Sequence, residues 1–164
     1  MRNVVLARVD DRLIHGEVVS VWTPTLSANT ILVVDDDVAK DDFNKRVIKS
    51  LAPEGVKVFV SSIEGAIKGL LKDPIPGERV IVLTKSPVAF AKIVRAGVPL
   101  KEVNLGGMGL RGGRKTFIKN VAASPVEIEA IREMRDKGVH VFYQLVPEQA
   151  VIEVDEALER AGKE

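Results

Sequence analysis

Arg8-Val9-Asp10-Asp11-Arg12-Leu13-Ile14-His15-Gly16-Glu17 is the stretch on which the reading of this chain turns. Before it, Asn3-Val4-Val5-Leu6-Ala7 is a short apolar run that reads as a buried strand. After it, Val18-Val19-Ser20-Val21-Trp22 begins a segment with helical character. A strand therefore runs out into a short loop, and a helix starts beyond it. The loop gathers Arg8, Asp10, Asp11, Arg12 and one of only two histidines in 164 residues. In an open α/β sheet, the loop at the carboxyl end of the first strand is a favoured place for a ligand or for chemistry.

The same alternation continues outward. Thr30-Ile31-Leu32-Val33-Val34, Val56-Lys57-Val58-Phe59-Val60, Val80-Ile81-Val82-Leu83, Glu102-Val103-Asn104-Leu105 and Val139-His140-Val141-Phe142-Tyr143 read as strands, with a further short one expected over 116–122. Between them lie helices of about 10–15 residues. One starts at Asp35-Asp36-Asp37, with Phe43, Val47, Ile48 and Leu51 as its apolar face, and ends at Pro53 and Gly55. Ser61 or Ser62 caps the next, and Ser86-Pro87 and Ser124-Pro125 open two more. A last helix is expected near Pro147, carrying Val151, Val154 and Leu158. Pro24 should kink or end the first helix. The pattern implies one α/β domain over 1–164: a three-layer αβα sandwich with an open, mainly parallel sheet of about seven strands.

Composition narrows the classes. Apolar residues make up 46% and charged residues 29%, as in an ordinary globular protein. Lys plus Arg is 24 and Asp plus Glu is 23, a net charge of +1 that argues against a nucleic-acid partner. There is no cysteine, so no disulfide, thiolate zinc site or cysteine nucleophile. No apolar run approaches the roughly 20 residues of a membrane span. The expected location is the cytoplasm, with any membrane connection made through a partner.

His15 is read as a nucleophile that carries a phosphoryl group. Arg12 and Arg8 offer planar forks matched to phosphate oxygens. Asp10 or Asp11 can accept from one ring nitrogen, which fixes the tautomer and puts the lone pair on the other. Phosphoryl transfer needs mostly positioning and charge neutralisation, and this loop supplies both.

As a word, Arg-Val-Asp-Asp-Arg-Leu-Ile-His-Gly closely resembles the histidine-phosphorylated loop of the IIB components of the mannose/fructose/sorbose family of the bacterial sugar phosphotransferase system. The resemblance continues through Val33-Val34-Asp35-Asp36, Leu83-Thr84-Lys85-Ser86-Pro87, Gly97-Val98-Pro99, Asn104-Leu105-Gly106-Gly107-Met108 and Gln144-Leu145-Val146-Pro147, nearly the whole chain. It implies a phosphotransferase subunit in which His15 takes phosphate from a histidine of a IIA component. The phosphate then passes to a sugar carried by membrane components IIC and IID, with which the chain would associate peripherally. It implies no cofactor and no metal. Arg12 is the implied phosphate-binding arginine, with Asp10 and Asp11 beside the histidine and Arg8 and Gly16 at the phosphate. The implied strand order begins 3-2-1-4, so that Thr84, Lys85 and Ser86 would face the phosphoryl group across a shared crevice. The family usually shows glutamine where this chain has Glu17. A regulatory module that is phosphorylated but delivers to no sugar is the alternative reading, and a homodimer is compatible with either.

The segment 106–115 holds five glycines in eight residues yet matches neither nucleotide-binding pattern, since no helix follows at once. It reads as a mobile loop whose Arg111, Arg114 and Lys115 would dock a partner. A small-nucleotide-binding domain using this loop and the first is a third, weaker reading. Asp35-Asp36-Asp37 reads as helix capping, and His140 as structural.

Overall fold

The computed structural model describes residues 1–16 and 18–163. Its centre is a seven-stranded sheet formed by β1 (Val4–Val9), β2 (Thr30–Val34), β3 (Lys57–Ser61), β4 (Val80–Thr84), β5 (Glu102–Leu105), β8 (His140–Tyr143) and β9 (Ile152–Glu153), in the order β3-β2-β4-β1-β5-β8-β9. All neighbours run parallel except β9, which pairs antiparallel with β8. β6 (Lys115–Ile118) and β7 (Val121–Ala123) form a separate antiparallel hairpin. Helices α1 (Thr23–Thr25), α2 (Asp36–Ala39), α3 (Asp42–Ser50), α4 (Ile63–Leu70), α5 (Pro87–Arg95), α6 (Pro125–Asp136) and α7 (Asp155–Ala161) complete the fold.

Two apolar clusters show why the chain folds in three layers. One joins Val9, Val82 and Leu105 to Phe90, Ile93, Ile131 and Met134 of α5 and α6. The other joins Ile31, Val33 and Leu83 to Leu13, Ile14, Val18 and Trp22. Alternate residues of each central strand thus feed opposite faces.

The expected α/β class and parallel sheet hold, but the strand order beginning 3-2-1-4 is corrected. β4 lies between β2 and β1, and β1 lies between β4 and β5. Every residue of β4 is buried, which suits a strand paired on both edges. The neighbours of β1 are in register at Val9, which faces Thr84 on one side and Leu105 on the other. The loops after β4 and β5 therefore both flank the loop that carries His15.

Several elements differ from the sequence reading. The segment after His15 is a π-helical turn, Val18–Trp22, followed by the single turn α1, where Pro24 sits early instead of kinking a long helix. The helix expected from Asp35 onward is two helices, because Asp35 caps α2 through Val38 N and Asp41 caps α3 through Asn44 N. Phe43 and Val47 of α3 and Leu51 just after it are exposed, leaving Ile48 as the apolar residue that packs inward. The strand expected over 116–122 is folded back as the β6–β7 hairpin. Near Pro147 there is a loop pinned by Gln144 Nε2, which donates to Pro147 O and Gln149 O, so the last helix starts at Asp155.

Candidate functional site

Val9 ends β1, and the chain stays anchored for one more residue, since Asp10 N donates to Thr84 O at 2.8 Å and Gly106 N donates to Val9 O at 2.9 Å. The loop then turns through Leu13, whose φ of 58° is left-handed for a residue with a side chain. Burial of Leu13 and Ile14 in the cluster beside Trp22 offsets that conformation. His15 comes next, its side chain 12% exposed.

Asp10 holds the site together. Its carboxylate accepts from His15 Nε2 at 2.9 Å, Arg12 N at 3.0 Å and Gly107 N at 3.2 Å. Arg12 Nε lies 3.4 Å away and Arg8 Nη2 3.5 Å away. Burial alone would push the Asp10 carboxyl up. The His15 ring, the Arg12 amide and the charges of His15 and Arg8 overcome it, holding the carboxyl well below the ordinary carboxylate range. An ionised Asp10 accepts only, so the His15 nitrogen facing it, Nε2, donates; in the uncharged form of the ring that tautomer puts the lone pair on Nδ1.

The expectation that Arg8 binds phosphate is corrected. Its side chain is fully buried, and Nη1 donates to the Asn104 carboxamide and to Gln144 O at 3.0 Å. Nη2 donates to Leu145 O at 3.2 Å, and the guanidinium lies 5.2 Å from the Trp22 ring centroid. Arg8 thus fixes Asp10 from beneath and ties the first loop to the 144–149 loop. Arg12 is different: its side chain is 54% exposed at the mouth of the site. Gly16 is also exposed.

Asp11 faces the glycine-rich loop. It accepts from Gly109 N at 2.7 Å, from Arg111 Nη2 at 2.8 Å and from Arg114 Nη1 at 2.9 Å. Arg114 Nε and Nη2 also grip Glu127 at 2.8 and 2.9 Å, so its side chain is nearly buried and is not presented to a partner as expected. Arg111 and Lys115 are exposed. Burial would raise the Glu127 carboxyl; Arg114, the Ser124 amide and the Ser86 hydroxyl hold it low.

The hydroxyls of Thr84 and Ser86 are engaged within the protein. Thr84 is fully buried and its hydroxyl donates to Ser86 O at 3.0 Å, while the Ser86 hydroxyl donates to Glu127 at 2.8 Å and caps α5 through Val88 N. They brace the floor of the site. Lys85 is half exposed and 4.0 Å from Asp35. Asp35 and Asp36 act as backbone acceptors, for Val38 N and Ile63 N. A cleft of about 870 Å³ lies toward the other end of the strands, lined by Arg2, Ile75, Arg79, Leu100 and Lys101, and reaches Asn104. Glu17 lies outside the described residues.

Sequence reading missed Asn104, Trp22, Gln144 and Glu127. Asn104 was the one polar residue inside an apolar run. Glu127 stands at the third helical position after Ser124, the S-x-x-E capping pattern, and both capping bonds form. Gly106 is required where it stands, because a Cβ there would come within 2.3 Å of Arg8 Nη2.

Comparison with known proteins places the chain in a family. Residues 4–164 match the family model described as the PTS system sorbose subfamily IIB component. The chain is 36% identical over 150 residues to the fructose-specific EIIB component of Bacillus subtilis (strain 168), covering 92% of each chain. It is 32% identical over 158 residues to the mannose-specific EIIAB component of Escherichia coli (strain K12), covering 96% of this chain and 49% of that protein. Its fold matches the crystal structure of the IIBSor domain of the sorbose permease from Klebsiella pneumoniae with a TM-score of 0.88 and 34% identity, over 96% of this chain and 97% of that one.

Proposed function

The chain belongs to the sorbose-subfamily IIB components of the sugar phosphotransferase system, and we propose that His15 is the residue through which it passes phosphate. The observation that carries this is the 2.9 Å bond from His15 Nε2 to a buried, ionised Asp10, beside the exposed Arg12. With Nε2 committed as a donor, Nδ1 is the nucleophile. Nδ1 attacks the phosphorus of a phosphohistidine on a IIA component, the donor's P–N bond breaks, and its electron pair returns to the donor ring. The new N–P bond leaves the His15 ring cationic, with its Nε2 proton still held by Asp10, whose negative charge stabilises that cation. Arg12 neutralises the phosphoryl oxygens. In the second half-reaction a sugar hydroxyl oxygen takes the phosphoryl group, the N–P electrons return to Nδ1, and the hydroxyl proton is released.

The donor reading draws support from the mannose-specific relative, whose name joins A and B components in one protein. The acceptor is a sugar held by membrane components IIC and IID. In this reading the chain meets that transporter peripherally; among the described residues no helix is long and apolar enough to cross a membrane. Lys85 is half exposed on the loop after β4, which flanks the His15 loop, and its ammonium lies 4.0 Å from Asp35.

Incubation with phosphoenolpyruvate, the general phosphotransferase proteins and a matching IIA should label the chain, and His15→Ala should abolish the label. Persistent label in that variant would refute the assignment. Adding membranes that carry the transporter separates delivery to sugar from a purely regulatory role.

A further inference from the structure

Burial withdraws Arg8 from the phosphate, so a phosphoryl dianion on His15 meets one arginine, Arg12, where two were expected. A second arginine sits on the residue next to Asp10 in sequence: Arg111 Nη2 contacts Asp11 Oδ2. Arg111 rides on the loop after β5, its side chain is 67% exposed, and its guanidinium rests on Asp11 Oδ2 at 2.8 Å. Asp11 does not depend on it. Arg114 Nη1 already contacts both Asp11 oxygens at 2.9 Å, and Gly109 N donates at 2.7 Å. An exposed ion pair to a carboxylate neutralised from below is weakly held.

The loop is laid along the His15 loop, with Gly107 N on Asp10 and Gly109 N on Asp11. Asp11 follows in sequence the carboxylate that holds the His15 ring. The far side of the tip is open: Leu110, Gly112 and Gly113 are exposed, and Gly112 has a φ of 58°. An arginine on an exposed loop tip can exchange an already neutralised carboxylate for a dianion, which its planar fork matches better.

Resting on the reading of His15 as the phosphorylated residue, we propose that Arg111 is the second phosphate-binding arginine. It lies on Asp11 in the unphosphorylated chain and moves onto the phosphoryl oxygens once His15 is loaded. Asp11 is its resting dock.

The test compares wild type, Arg111→Gln, Asp11→Asn and the double variant, each phosphorylated by phosphoramidate and, separately, by a loaded IIA component. Arg111→Gln should slow His15 labelling about tenfold with both donors, the scale of one charge-assisted hydrogen bond. Its melting temperature should match wild type because the side chain is exposed. The double variant should stay slow. In wild type the Arg111 Nε–H resonance should shift when His15 is loaded. Recovery of the wild-type rate in the double variant would overturn the proposal, since Arg111 would then only cancel the charge of Asp11. A normal rate with phosphoramidate but a slow one with IIA would also overturn it, leaving a partner contact. Absence of His15 label in wild type would remove the underlying reading, and this inference with it.

Discussion

Asp10→Asn replaces one carboxylate oxygen by an amide at the most connected point of the site, and two effects follow from separate contacts. The first is on stability. Asp10 is the carboxylate 3.5 Å from the fully buried guanidinium of Arg8. Removing one member of a buried ion pair costs about 3–5 kcal/mol. The low end applies here, because Arg8 keeps Asn104 and the carbonyls of Gln144 and Leu145. About 3 kcal/mol lowers the melting temperature of a chain this size by about 6–12 °C. The second effect is on chemistry. An amide donor facing His15 Nε2 makes that nitrogen accept, which moves the proton to Nδ1 and removes the nucleophilic lone pair. Loss of the correct tautomer in comparable sites costs up to about 10⁴ in rate. Labelling should therefore fall by at least about 10², far more than partial unfolding explains.

The pH dependence carries a sign. The folded Asp10 carboxyl lies below its ordinary value of 3.8, so its contribution is complete above that value and is lost as pH falls toward the folded one. The stability difference between wild type and Asp10→Asn, from urea titrations, should be largest at pH 6–7 and should shrink as pH drops below about 4. A labelling rate within threefold of wild type, or a stability difference that does not shrink in acid, would refute the reasoning.

Gly106→Ala places a methyl group where the Arg8 guanidinium lies, with a closest approach of 2.3 Å, and should cost about 2–3 kcal/mol by urea titration while also slowing labelling through Asp10. Glu127→Gln removes the charge that Arg114 grips at 2.8 and 2.9 Å, for an expected loss of about 1–3 kcal/mol. The Glu127 carboxyl is held below its ordinary value of 4.5, so that loss should be present at neutral pH and fade as pH falls below it. Thr84→Val removes a hydroxyl whose bond goes to Ser86 O, and should cost about 1 kcal/mol with the labelling rate unchanged within twofold. A strong catalytic loss there would restore Thr84 to the phosphate site.

The alternation of apolar runs with helical stretches made the α/β class legible, because each run is too short for a helix and bounded by turn residues. Strand order was not legible. Val4-Val5-Leu6-Ala7 and Val80-Ile81-Val82-Leu83 both read as buried strands, and nothing local says which lies nearer to β2. At the site, His15, Arg12 and Asp10 stood in one short word. The burial of Arg8 was legible too, had the two-residue period of a strand been applied, since it places Arg8 and Asp10 on one face with Leu6. The bracing of Asp11 by Arg114, and of Arg114 by Glu127, was not, because those contacts span 103 and 13 residues and depend on how the glycine-rich loop folds back. The internal partners of Thr84 and Ser86 were not legible, because a hydroxyl near a helix start suits a phosphate, a carbonyl or a carboxylate equally well.

With two histidines in the chain, ¹⁵N labelling of the imidazole rings gives a spectrum that can be assigned residue by residue. Recording it before and after phosphorylation shows which nitrogen carries phosphorus and which keeps its proton. The account predicts a ³¹P coupling to Nδ1 of His15, with Nε2 protonated in both states against Asp10. Phosphorus on Nε2 of His15, or on His140, would contradict it.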